Sequence, residues 1–196
     1  LMQGKNVTFV ENITDIDDPL LERAARDNQA WEFLATSQIH LFRTDMAALR
    51  VLPPHHYQGV VESMSIIIEL VQRHIGSGLT YALDGDIYLD LTKVDGALSS
   101  LPFPLEEALN IFRERGGDPD RHGKHHALDP LLWRAKKVKD PSWSAHFGEG
   151  RPGWHVECVA IALSNTESGK RTSISLQGGG SDLIFPHHFM TAIQSK

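Results

Sequence analysis

Apolar and polar residues follow two different spacings along the chain. In 31–49 and again in 60–75 the apolar residues recur mostly at intervals of three, four and seven, which predicts two amphipathic helices that pack against each other. Residues 105–115 predict a third helix, which ends at a glycine pair. Residues 80–91 alternate around Asp84-Gly85, a dipeptide suited to positive φ angles, and therefore predict a small β-hairpin.

The two ends of the chain have the pattern of a parallel α/β sheet. The apolar run 7–10 predicts a strand that leads through an acidic cluster into a helix. Toward the other end, a helix over 153–163, a strand over 173–176, a glycine loop and a helix from Pro186 onward are predicted. Ligands of such sheets bind beyond the carboxyl ends of the strands. The segment 124–153, rich in His, Lys, Pro, Trp and Gly, predicts a connection over the surface.

Composition narrows the class of protein. A chain of 196 residues with 41% hydrophobic residues can bury one core but hardly two, so we expect a single domain. Nineteen Lys and Arg against 25 Asp and Glu give a net charge of -6, which argues against a surface built for unspecific phosphate binding. The sequence has no apolar run near the roughly 20 residues that cross a bilayer. Because the single cysteine cannot form an internal disulfide, we expect a reduced, cytoplasmic protein without membrane contact.

Cys158 and the adjacent pair His187-His188 are the candidate metal ligands. Cys158 lies near the start of a predicted helix, where the helix dipole favours a thiolate. Thiolate and imidazole are the ligands that zinc prefers. Their spacing matches no compact zinc finger, so the fold would have to assemble the site. A second interpretation, in which Cys158 is a small buried apolar residue, stays open.

Two polar segments also allow two interpretations each. The glycine loop 178–180, followed by Ser181 and Asp182, has neither the Walker order nor the GxGxxG order. It is either a flexible turn or a close approach of the backbone to a ligand, with Asp182 at its mouth. The acidic cluster within 12–18 supplies either ligands for Mg²⁺ or, the interpretation we favour, N-cap acceptors for the next helix.

Three long motifs carry a resemblance to a known family. Residues 12–18, 150–158 and 178–188 read NITDIDD, GRPGWHVEC and GGGSDLIFPHH. In this order they are similar to three signatures of the cysteinyl-tRNA synthetase family, and the resemblance spans nearly the whole chain. The stretches DMAALRVLPP at 45–54 and ERGGDP at 114–119 resemble the mycothiol-pathway branch of that family, whose members ligate cysteine to glucosaminyl-inositol.

This resemblance implies a fold class and a domain organisation. The fold would be α/β, a class I synthetase-like (nucleotidyltransferase-like) Rossmann catalytic domain, incomplete in this chain, with a helical and small hairpin insertion. Residues 1–196 would form one partial catalytic domain. Within it, 1–28 and 151–196 would be Rossmann-core segments, and about 29–150 would be the connecting helical insertion.

The resemblance also implies an activity. ATP, together with Mg²⁺, would activate L-cysteine as cysteinyl-adenylate, and the cysteinyl group would pass to the amine of glucosaminyl-inositol. One Zn²⁺ per intact chain would be held by Cys158 and His187 and would take the substrate thiolate at an open position. The other site residues would line the pocket for cysteine and its adenylate: Asn12, Ile13, Thr14, Trp154, Gly180, Ser181 and Asp182.

The chain also departs from the family pattern. The family places a further zinc cysteine and an HxGH motif before NITDIDD, and a KMSKS loop after the histidine pair, and this sequence contains none of them. We therefore expect an internal fragment that does not form adenylate alone, because donors to the α-phosphate are missing. Thr191 replaces a zinc-binding Glu of the synthetases, a loss compatible with the ligase branch. Phe189-Met190 replaces the usual Glu after the histidines, and 164–173 contain a few additional residues.

Two rival functions remain at this point. The chain could be a fragment of a cysteinyl-tRNA synthetase, which a tRNA-binding extension in the full-length gene would reveal. It could also be a non-catalytic zinc-binding or interaction domain that retains the fold without the ATP motifs. Adenylate formation by the full-length product distinguishes that last case from both enzymes.

Overall fold

The computed structural model describes residue 4 and residues 6–138, 140–165 and 174–196 of the chain. Helices in these residues are α1 (Asp18–Arg26), α2 (Trp31–Ala48), α3 (Met64–Gly76), α4 (Leu105–Glu114), α5 (Val156–Ser164) and α6 (Phe189–Gln194). Strands are β1 (Val10–Ile13), β2 (His56–Gly59), β3 (Thr80–Leu83), β4 (Asp86–Leu89), β5 (Leu131–Ala135) and β6 (Gly150–Pro152). The α2, α4 and hairpin predictions are confirmed almost to the residue.

A parallel pair of strands, β1 and β2, forms the first of two sheets, with Ile13 opposite Gly59. The turn after β1 is fixed by Asp15, whose Oδ1 accepts hydrogen bonds from the N–H groups of Val60 at 2.8 Å and Val61 at 3.1 Å. Gly59 leaves room for that carboxylate, since a Cβ there would lie 2.5 Å from Asp15 Oδ2. Asp17 is the N-cap of α1, as predicted, and accepts from the Leu20 N–H. Asp15 instead joins two distant segments.

An antiparallel sheet with the order β3-β4-β5-β6 forms the second layer. The β3–β4 hairpin turns at Asp84 and Gly85, both with positive φ, as the sequence predicts. The interpretation of 124–153 as a surface connection is wrong, because this segment contains β5 and β6. Trp133 on β5 is 1% exposed and packs inside the core.

The packing of the helices differs from the prediction. The main helical partner of α3 is α5, and that of α2 is α1, so the predicted packing of α2 on α3 is not the main contact. Ile67 and Val71 of α3 and Val159 of α5 are fully buried in the shared core. The α3–α5 pair therefore holds the candidate site against the core.

Several strands and helices begin at residues other than those predicted from the sequence. The first strand begins at Val10 rather than residue 7, and Phe9 is 45% exposed. Helix α5 begins at Val156 because β6 ends at Pro152 and His155 has a positive φ of 74°. The strand predicted over 173–176 is wrong for residues 174–176, which have no strand partner among the described residues; residue 173 lies outside them.

Regular helix begins at Phe189 rather than at Pro186, after a π-type turn over Ile184–His188. The additional residues expected within 164–173 fall mostly in the segment 166–173, outside the described residues. No helix in the described part of the chain combines the length and apolar character that a membrane crossing requires. The predicted α/β fold class is confirmed: parallel strands and an antiparallel sheet share one core with the helices.

Candidate functional site

The carboxyl half of β1 and the first turn of α5 lie side by side. The Asn12 side chain on β1 lies close enough to Cys158 on α5 to lower the pKa of its thiol, against the larger effect of burial. The Cys158 Sγ–H also donates to Glu157 Oε1, over 3.8 Å. The fold thus joins the first and second motifs of the sequence at Cys158.

The electrostatics at Cys158 differ from the expectation. Burial raises the pKa of the Cys158 thiol, and the charge of Glu157 raises it further. The predicted preference for thiolate at the helix start is therefore wrong for the protein alone, because desolvation outweighs the partial charge of a helix end. A divalent cation in contact with the sulfur reverses this balance, since a coordinating thiol loses its proton.

His187 contacts a residue to which sequence reasoning gave no role. Its Nδ1 lies 2.9 Å from Nδ1 of His155, and the two ring centroids are 5.0 Å apart. Burial and the neighbouring His187 lower the pKa of His155 to about 3. Burial and His188 lower the pKa of His187. Between two neutral imidazoles, one Nδ1–H donates to the other Nδ1, and in the tautomer in which His187 is the donor its Nε2 carries the lone pair that can meet a metal.

Cys158 and His187 are residue types that fit zinc. Cys158 offers sulfur and His187 offers imidazole nitrogen, and a ligating histidine usually hydrogen-bonds through its other nitrogen, as the contact with His155 allows. A catalytic zinc site takes three protein ligands. The described part of the chain has no group of three His, Cys, Asp or Glu side chains placed to hold a metal. Cys158 and His187 therefore stay candidate donors, and no third donor is grouped with them among the described residues.

The glycine loop lies over the second histidine of the pair. A Cβ on Gly179 would come within 2.6 Å of His188 Nε2, so only glycine lets the loop approach that ring. A Cβ on Gly180 would lie 2.3 Å from Asp182 Oδ1. Ser181 and Asp182 follow in an exposed 3₁₀ turn. Asp182 is free to reach a ligand except for an exposed ion pair with Arg115 at 3.7 Å.

Trp154 and the NIT residues of the first motif line two different clefts. Asn12, Ile13 and Thr14 line a cleft between β1 and α2. Trp154 lines another, together with His155 and the glycines at 116 and 117. The structure therefore does not gather all the residues expected around cysteine into one cleft of the described chain. Cys158, four residues after Trp154, is among the lining residues of neither cleft.

A cluster of ion pairs joins the first motif, at Asp18, to the second motif, at Arg151. Asp18 accepts hydrogen bonds from Arg134 Nη1, at 2.8 Å from Oδ2, and from Arg151 Nη2 at Oδ1. Arg151 is buried, with a side chain 6% exposed. Although burial alone would raise the pKa of Asp18, the two arginine charges outweigh it and lower that pKa. This cluster was not predicted from the sequence, although Asp18 lies in the first motif and Arg151 in the second.

A family model for the catalytic domain of class I (C) tRNA synthetases matches residues 1–196. The chain belongs to this family. The resemblance inferred from the three motifs is thereby confirmed. Membership in the class I (C) family also agrees with the mixed α/β architecture and with a junction between β1 and α5 at the motif residues.

Curated relatives place the chain near one branch of the class I (C) family. It is 54% identical over 187 residues to a protein of Streptosporangium roseum named L-cysteine:1D-myo-inositol 2-amino-2-deoxy-alpha-D-glucopyranoside ligase. Proteins with the same name from Mycolicibacterium paratuberculosis and Acidothermus cellulolyticus are 52% and 51% identical. These alignments cover 94%, 98% and 98% of the chain and 44%, 46% and 47% of the relatives. The chain spans about half the length of the curated relatives it matches.

Proposed function

We propose that the full-length protein containing this chain is a cytoplasmic, ATP-dependent ligase that activates L-cysteine as cysteinyl-adenylate and transfers the cysteinyl group to the amine of glucosaminyl-inositol. The observation that carries the proposal is the identity of 51–54% to proteins named as that ligase, over nearly all of the chain. The neighbouring positions of Asn12 and Cys158 support it, because they bring two family motifs to one point.

Cys158 and His187 would hold Zn²⁺, with the third protein donor supplied by the rest of the full-length protein. A zinc ion bound there supplies a Lewis acid that prefers a thiolate to a hydroxyl, so it can separate cysteine from serine without an editing step. His155 orients the imidazole of His187 through the contact between their Nδ1 atoms. Asn12 would orient the Cys158 sulfur at the end of β1, where its side chain lies beside the thiol.

The remaining residues would bind the organic parts of the substrates. Asn12, Ile13, Thr14 and Trp154 would bound the cysteinyl group. Gly180, Ser181 and Asp182 would contact the adenylate, because a loop of glycines lets the backbone approach a ligand closely and presents the Asp182 carboxylate beside it. Mg²⁺ would accompany ATP as the counter-ion of its phosphates.

The test is a two-step assay on the full-length protein. We expect cysteine-dependent exchange of pyrophosphate into ATP, little exchange with serine, and transfer of the cysteinyl group to glucosaminyl-inositol. Charging of tRNA without reaction on the amino sugar would establish the synthetase alternative instead. No exchange with any amino acid, from a folded and zinc-loaded protein, would leave the non-catalytic interpretation.

A further inference from the structure

The ERGGDP segment at 114–119 has no role in the proposed chemistry, yet its turn lies against Trp154. Gly116 has a φ of +84°, and a Cβ built on it would lie 2.0 Å from Trp154 Cη2 and 2.8 Å from Cζ2. Non-bonded carbon atoms do not approach each other this closely. The six-membered ring of the indole therefore occupies the space that any side chain at position 116 would need.

The backbone on both sides of this contact is fixed. Behind the turn, a Cβ on Gly117 would lie 2.5 Å from the ring of Phe112, which is buried. On the other side, the backbone N–H of Trp154 donates to Leu131 O at 3.1 Å. A Cβ on Gly153 would lie 1.9 Å from the same oxygen, so the backbone that carries the indole already touches β5. The backbone that carries the indole is therefore held by β5, and the half-buried ring is the part that a side chain at 116 would displace.

An ion pair with the buried Lys124 side chain also anchors the turn. Asp118 accepts from Lys124 Nζ at 2.9 Å, and the Lys124 side chain is 2% exposed. From the same turn, Arg115 reaches Asp182 at 3.7 Å, although both side chains are about half exposed and such a pair contributes little. The strong part of this arrangement is therefore the steric contact of Gly116 with the indole.

We propose that Gly116 is a positioning residue that sets the orientation of the Trp154 indole in the cysteine-binding pocket. The proposal rests on the function proposed above, since only there does Trp154 bound the cysteinyl group. Gly116 acts through the indole and does not touch substrate. A side chain at 116 turns the ring, and a displacement of about 1 Å at a substrate-positioning group can reduce the rate about 10²-fold.

The test compares Gly116→Ala with Gly78→Ala in the full-length protein. Gly78 has a φ of +70° and nothing within 4 Å of its Cβ position, so its variant has similar backbone strain without the ring contact. We expect Gly116→Ala to lower kcat/KM for cysteine about 10²-fold with KM for ATP unchanged. Gly78→Ala should match the wild type. Equal losses in both variants would overturn the proposal, because strain alone would then explain them.

A double-mutant cycle with Trp154→Phe isolates the contact. Phenylalanine lacks the distal indole atoms that a Cβ at 116 would meet, so Gly116→Ala should cost little in that background. Effects that simply multiply would contradict the proposal. If Gly116→Ala alone fails to fold, recovery of folding in the double variant supports the contact and continued misfolding refutes it.

A spectroscopic readout separates this proposal from the proposed function. The emission of Trp154, taken as the difference from Trp154→Phe, should shift in Gly116→Ala but not in Gly78→Ala. If the wild-type protein activates no cysteine, the proposed function fails while the emission still reports the contact. An unshifted emission in an active protein overturns the positioning role alone.

Discussion

Two buried carboxylates show how the antiparallel sheet differs from the candidate site. Asp129, beside β5, accepts from the Leu91 N–H at 2.9 Å, the His126 N–H at 2.7 Å and the Tyr81 hydroxyl at 2.9 Å. Glu157, on α5, accepts a thiol hydrogen bond at 3.8 Å, and its Oε2 has no partner among the described residues. Burial raises the pKa of both, that of Glu157 to about 7.

The two carboxylates differ in how many of their oxygens have a hydrogen-bond partner. In the sheet, the carboxylate is matched by donors that the fold itself supplies, which is the usual state of a buried polar group. In the site, Nε2 of His155 and Nε2 of His188 join Glu157 Oε2 as buried atoms without a partner in the described chain. Such atoms cost stability when the protein is empty and are available to a ligand. Four predictions test this contrast.

The largest expected effect is at the metal donors. In the full-length protein, Cys158→Ser and His187→Ala should each abolish stoichiometric zinc and cysteine activation, because each removes one of three protein ligands. His188→Ala should spare much of the metal, since altering a neighbour of the ligands typically costs about 10- to 100-fold in affinity. Elemental analysis and pyrophosphate exchange are the measurements. One zinc per chain retained in Cys158→Ser would place the metal elsewhere.

The next effect is on stability, at the sheet. Asp129→Asn turns an amide N–H₂ toward groups that donate, so it should reduce the free energy of unfolding by about 1–3 kcal/mol. Urea unfolding of the full-length protein followed by circular dichroism measures it. Tyr81→Phe, which removes one of the three donors, is the milder control, at about 1 kcal/mol.

A matched substitution at the site sharpens the contrast. In the wild type, Oε2 of Glu157 already has no partner among the described residues, so Glu157→Gln breaks no strong hydrogen bond there. The substitution also removes a charge whose burial is unfavourable. It should therefore change the free energy of unfolding by less than about 1 kcal/mol. Unfolding in urea, under the conditions used for Asp129→Asn, gives the comparison. Equal losses at the two positions would show that the carboxylates are equivalent and that the contrast is wrong.

The smallest effect is a pH dependence at the ion cluster. The pKa of Asp18 is lowered in the fold, so the ionised form stabilises the protein above the ordinary carboxyl pKa, and this contribution is lost as pH falls through the lowered pKa. Wild type should therefore lose more stability between pH 6 and pH 3 than Asp18→Asn does. The urea midpoint at each pH measures this, and parallel curves for the two proteins would contradict it.

Local patterns predicted much of the fold, and distant contacts explain the errors. The α2 helix and the Asp84-Gly85 hairpin depend on residues near each other in the chain, so spacing and turn chemistry identify them. Strand β5 was missed because Trp133 is followed by Arg and Lys in a segment rich in surface residue types. It becomes a buried strand through pairing with β4 and β6, which composition does not reveal.

The candidate site, like the fold, could be predicted only in part from the sequence. The motifs indicated Cys158, Trp154 and His187 as candidates by type and order, but not the partners that the fold gives them. The contact of His155 with His187 crosses 32 residues, and that of Trp154 with Gly116 joins two separate motifs. Asp15 has a residue type typical of N-caps, yet it bonds to backbone 45 residues away. Chain topology decides these pairs.

The cluster of Asp18 with Arg134 and Arg151 has a consequence for synthesis of the protein. The two arginines follow Asp18 by 116 and 133 residues. At roughly 5–20 residues per second, a ribosome needs on the order of ten seconds to make that length of chain. During this time the first motif lacks both counter-charges, and β1 has no α5 to dock against. The candidate site therefore assembles only after Arg151 has been made, and a chaperone that protects the nascent chain would meet the NITDIDD segment in its unpaired state.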